Sequence, residues 1–149
     1  MPQLASWWQR FAAFVLDLAL AGFAGSLLAS GLAGPDVKAT TGGGYQLAWS
    51  RGTVTAVALL VIFVTAYFTF LNGSRRGQTV GKALLGIVVR DAEANGQLGA
   101  GRALARALTM VVFYVFAVPW IVDGLWPLWD RRRQTLHDKV VGSVVVRIR

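Results

Sequence analysis

An aspartate in the middle of an apolar helix has the plainest chemical potential in this chain. Asp17 lies in the run Trp7 to Leu32, where nearly every residue except Arg10 and Asp17 is apolar. In a helix it sits about 10 Å beyond Arg10 along the axis. A carboxylate at that depth in a bilayer costs roughly 2.5–3.5 kcal/mol on insertion scales. Two uses offset such a cost. An acid held out of water can carry a proton and trade it for a cation, or it can pair permanently with a base and fix helix packing. Arg10 is on nearly the same face, two turns away, too far for easy direct pairing, and its long stem can snorkel to the interface. Lys82, Arg102 and Arg106 are the bases that could reach Asp17 instead. Thr65 and Thr69, with Asn72 one turn on, form a second polar stripe. Hydroxyls in such a stripe usually bond their own helix backbone, and that reading is preferred over solvation of Asp17.

The remaining polar candidates lie near the C-terminal end. Asp138 follows the basic run Arg131, Arg132, Arg133. It is expected to cap the next short element or to pair with Arg132 or Arg133. A lone histidine, His137, cannot build a zinc site, which takes three or four protein ligands, so no metal or other cofactor is expected. No nucleophile or second acid is placed with it, and the chain reads as no enzyme, with no catalytic residue. The segment Gly77 to Lys82 misses the phosphate-binding loop spacing by one residue and carries Ala83 where Ser or Thr is required.

The elements that hold these residues are mostly membrane helices. Of 149 residues, 55% are hydrophobic and 15% charged, and the apolar ones come in long blocks. The formal charge of +8 lies beside those blocks. There it reads as topology and contact with anionic lipids, and nucleic acid is excluded as a partner. With no cysteine, disulfides and thiolate metal sites are excluded too.

The expected fold is an all-α membrane protein forming a single domain over 1–149. Helix 1 covers about 7–32 and is a retained helix, not a cleaved leader, because Asp17 interrupts its apolar core and two more apolar blocks follow. Ala13, Ala21, Gly25, Ala29 and Ala33 recur every fourth residue with Asp17 in the series. Such a stripe lets another helix approach closely, so Asp17 is expected to face protein. A flexible Gly/Thr-rich loop fills 33–52, and helix 2 covers about 53–71. A basic connection, 72–102, holds a short helix Val80–Leu85 capped by Thr79 and a strand at about 86–90. The third hydrophobic segment, about 103–129, is broken at Pro119, Gly124 and Pro127. A basic tail, 130–149, ends in a second strand at about 143–148.

The connection carries net +3, as does the stretch 123–149, and both belong on the cytoplasmic side. Two full spans between them need roughly 40 residues, and the block has 27. The preferred topology is therefore two full spans, an N-terminus inside, and a re-entrant or interfacial hairpin. It lets the two strands pair on one cytoplasmic face. A third full span with an external tail is the alternative.

These motifs resemble the RDD family of small bacterial membrane proteins, named for one arginine and two aspartates. Gln9 to Asp17 is similar to its first-helix pattern, which supplies Arg10 and Asp17. Thr79, Gly81 and Lys82 resemble its Thr-x-Gly-Lys motif, and Arg133 to Val146 its C-terminal signature. That makes Asp138 the second aspartate, with Asp130 an alternative; Ser143 stands where the family often has threonine. The resemblance implies a multi-pass protein of the bacterial inner membrane. It also implies transport, cation/proton exchange having been reported for some relatives. A non-catalytic accessory subunit that docks a partner or anionic lipid through Arg131–Arg133 is the alternative. A two-span chain would enclose an ion path only as a homo-oligomer or beside a membrane-complex partner.

Overall fold

The computed structural model describes residues 3–33, 36–48 and 51–148. Helix α1, Trp7–Leu32, starts at a reciprocal capping box: Ser6 Oγ accepts from Gln9 N–H (3.2 Å) and Gln9 Oε1 from Ser6 N–H (3.1 Å). Its buried residues are Ala13, Asp17, Ala21, Gly25 and Ala29, one stripe at helical spacing. Helix α2, Arg51–Gly73, packs on that stripe. At Gly25 the approach is so close that a β-carbon would stand 2.7 Å from Leu60 Cδ1. Both helices are long and apolar enough to cross a bilayer, with mean hydropathies of 2.0 and 2.4. Only 22% and 11% of those spans is buried inside the molecule, so their apolar surface faces outward. The core helix of a water-soluble domain would show the reverse.

The segment expected to be a flexible loop contains an antiparallel hairpin, strands β1 (Asp36–Ala39) and β2 (Tyr45–Ala48). Thr40 explains it. Its N–H donates to Gly44 O (2.7 Å) and its hydroxyl accepts from Gly44 N–H (3.1 Å), closing a tight turn with Gly43 at φ 77°. Helix α2 begins two residues earlier and ends two later than its apolar run.

After α2 the chain forms helix α3 (Val80–Leu84) and strand β3 (Ile87–Asp91), which pairs antiparallel with β4 (Ser143–Arg147), Val89 facing Val145. Gly86 is outside the strand because it turns the chain out of α3 at φ 64°. Leu4 bridges to Val146, and Ala5 N–H donates to Val145 O (3.0 Å). Ala5, Ala13, Ile87, Val89, Leu98, Ala103, Val141 and Val145 form one apolar cluster joining this pair to the helices.

The third apolar block is divided, but not at its prolines. Helix α4, Ala100–Val115, stops at Phe116, and α5 runs Ala117–Leu125 straight through Gly124. Pro119 occupies the first turn of α5, where no intrahelical N–H is needed, so it starts the second helix and the break precedes it. Pro127 likewise opens a 3₁₀ turn, Trp126–Leu128. Helix α6, Leu136–Val141, has a Thr135/Asp138 capping box and ends at Gly142 in the left-handed region.

Candidate functional site

Two buried carboxylates, one on α1 and one on α6, organise the charges in different ways. Asp138 is wholly buried and is clamped by two arginines. Arg10 donates to its Oδ2 and to the Arg133 carbonyl. Arg106 Nε donates to Oδ1 (2.9 Å) and Ser143 Oγ also donates to Oδ1 (2.8 Å). Burial works to raise the Asp138 pKa, but the charges of Arg10 and Arg106 hold it well below the ordinary carboxylate value. The expected pairing with Arg132 or Arg133 does not form. Arg131, Arg132 and Arg133 are exposed, because Asp130 accepts from Arg132 N–H (3.1 Å) and Gln134 N–H (2.9 Å) and turns that segment outward. Arg10 does not snorkel either; Asp138 takes its head group.

Asp17, 1% exposed, is held by neutral donors. Tyr67 OH and Gly81 N–H each donate to Oδ1 at 2.8 Å, and Thr79 Oγ1 donates to Oδ2. Among the described residues no base forms an ion pair with Asp17. Each candidate base is engaged elsewhere. Lys82 Nζ donates to Asn72 Oδ1 (2.6 Å). Arg102 pairs with Asp91 and donates to Val141 O (2.8 Å) at the end of α6. Thr65 donates to Val61 O (2.7 Å), a bond within its own helix, while Thr69 Oγ1 is buried without a hydrogen-bond partner among the described residues. Thr79 makes no side-chain cap on α3, because its hydroxyl is committed to Asp17.

Tyr67 and Asp123 were not singled out from the sequence, and Asn72 and His137 were noted there without a part in this cluster. Asp123 on α5 takes both donors of His137, its backbone N–H (2.9 Å) and Nδ1 (2.6 Å). That places the neutral ring's proton on Nδ1 and leaves Nε2 facing Asp138 Oδ1 at 3.9 Å. Burial, then Arg106, lowers the His137 pKa below its ordinary 6.5. The unfolded chain therefore takes up a proton near pH 6.5 that folded His137 refuses, and stability falls as pH drops through that value. Thermal unfolding in mild detergent between pH 8 and 5 is expected to show this decline, and His137→Gln to flatten it.

Arg10, Asp17, Lys82, Arg106, Asp123 and His137 all line one cleft of about 110 Å³, walled by Phe14, Phe68 and Trp120. A pocket of that size takes a few waters or one small ion with part of its hydration shell. Among the described residues no group of three His, Cys, Asp or Glu side chains is placed to hold a metal.

The family model described as the RDD family matches residues 4–142. Among curated proteins, the chain is similar to the proline-rich antigen of Mycobacterium leprae, 37% identical over 91 residues, covering 58% of this chain and 35% of that protein. It is also similar to the proline-rich antigen homolog of Mycobacterium tuberculosis, 33% identical over 93 residues, covering 60% and 38%. The match thus spans little more than a third of those relatives. No solved structure matches the chain.

Proposed function

Because this chain belongs to the RDD family, a family of membrane proteins, we propose that it is the ion-handling part of a bacterial-type inner-membrane exchanger, binding an alkali cation at Asp17 in exchange for a proton. One observation supports this above the others: Asp17 lies in a span, borders a cleft, and accepts from hydroxyl and amide donors, with no base in an ion pair with it among the described residues. A permanently paired structural acid would look like Asp138. Carboxylate and hydroxyl oxygens are the hard ligands that suit such cations. In this reading the N-terminus is cytoplasmic, α1 and α2 cross the bilayer, and α4–α5 dip into it or lie at its surface. A second copy or a partner subunit closes the path.

The test is flux in liposomes. Purified chain with an internal pH dye is expected to respond to an outside pulse of NaCl or KCl. Asp17→Asn is expected to insert and melt like the parent and to lose at least nine-tenths of that response. Absence of a response in the parent protein would overturn the reading. It would leave a non-catalytic accessory role, which the exposed guanidiniums of Arg131, Arg132 and Arg133 beside exposed Trp129 favour as a surface for anionic lipid or a partner.

A further inference from the structure

Of the bases lining the cleft, Lys82 is the one with no acid within bonding distance. It is 8% exposed, on α3, and forms no ion pair among the described residues, whereas Arg10 and Arg106 are both spent on Asp138. Its partner, Asn72 Oδ1 at 2.6 Å, is an amide oxygen. Asn72 Nδ2 donates to Phe68 O (2.8 Å), which fixes the amide so that its oxygen faces Lys82. An amide oxygen accepts from an ammonium or from a neutral amine alike. Unlike a carboxylate, it does not lock the lysine in its charged form.

We propose that Lys82 is the proton-carrying partner of Asp17, and that an alkali cation in the cleft and the Lys82 proton occupy the field of that carboxylate alternately. This rests on the exchange reading above and supplies its coupling residue. The step balances: one monovalent cation enters, one proton leaves the ammonium for cleft water, and the amine stays bonded to Asn72. The charged groups around Lys82 are Asp17 and Arg10 from α1, Arg106 from α4 and Asp138 from α6. Asp138 is neutralised by its own arginines, so Asp17 is the acid whose charge Lys82 answers. Burial and then Arg106 lower the Lys82 pKa well below its ordinary 10.5, which makes proton release accessible.

The experiment measures Na⁺ binding to the full chain in micelles from pH 6 to 9, with proton release followed in weak buffer. Parent protein is expected to release about one proton per Na⁺, its affinity rising about tenfold per pH unit up to the Lys82 pKa. Lys82→Gln is expected to bind Na⁺ with pH-independent affinity and to release none. Lys82→Arg, charged throughout, is expected to weaken Na⁺ binding more than tenfold. Should these variants not fold, the parent answers alone. Its sequence has three lysines, and the Lys82 Nζ resonance of ¹⁵N-lysine-labelled protein must change protonation on adding NaCl. Na⁺ binding with unchanged proton release in Lys82→Gln, or with an unmoved Nζ signal, overturns the proposal and leaves the exchange reading standing. Parent protein that binds no Na⁺ overturns both.

Discussion

Asp138→Ala is expected to destabilise the protein by about 3–5 kcal/mol, the range for removing one member of a buried ion pair. The reason is what it leaves behind. Arg10 and Arg106 both point at this one carboxylate, and Arg106 is 5% exposed. Without Asp138, two guanidiniums face each other in a poorly solvated site. The same change removes the acceptor of Thr135 N–H in the α6 capping box. Removing an arginine should do less, since the acid keeps the other one. The sharper check is the triple replacement Arg10→Met, Arg106→Met, Asp138→Leu. If the clamp mainly avoids an uncompensated charge, the apolar triple should regain most of the lost stability. Midpoints of denaturation in mild detergent would read all three, and an Asp138→Ala variant as stable as the parent would contradict the clamp.

Gly81→Ala should carry the second large effect, about 1–3 kcal/mol, from overpacking. A β-carbon there would press into the carbonyl oxygen of Ala13 and come within 3.1 Å of Asp17 Cγ. Neither can retreat: one is helix backbone, and the other is held by three donors. Helix α3 must therefore lift from α1, and with it the Gly81 N–H that Asp17 Oδ1 accepts at 2.8 Å. The expected result is a lower melting midpoint together with loss of any Asp17-dependent flux. Gly101→Ala is the control. It lies on an exposed part of α4 with nothing within 4 Å of the added carbon, and should gain about 0.5 kcal/mol from helix propensity.

What the sequence revealed was periodic or local. The stripe from Ala13 to Ala29 could be read because helix packing needs small residues at four-residue spacing. The β3 and β4 strands were visible as β-branched runs, offset by a residue where Gly86 turns. The partners of the acids could not be read the same way. Arg10 and Asp138 are 128 positions apart, and nothing local links them. Thr79 has every local mark of a helix cap, and only the packing of α3 on α1 redirects its hydroxyl to Asp17. Tyr67 looks like one more aromatic in an apolar span; a phenol there needs a hydrogen-bond partner, and that requirement is the signal that could have found it. Asp123 and His137 each looked unremarkable alone, and their pairing depends on where the chain breaks at Phe116.

The wide separation of Arg10 from Asp138 also sets a clock during synthesis. At ~5–20 residues per second, roughly 6–26 s separate the two leaving the ribosome. Thr79 follows Asp17 by 62 positions, so the α1 acid can meet its donors in about half that time. Until Asp138 arrives, Arg10 lacks the acid that holds it in the finished fold. A nascent chain halted before α6 would keep both arginines unpaired and its β3 edge open. The clamp that stabilises the finished protein therefore also distinguishes it from an unfinished one.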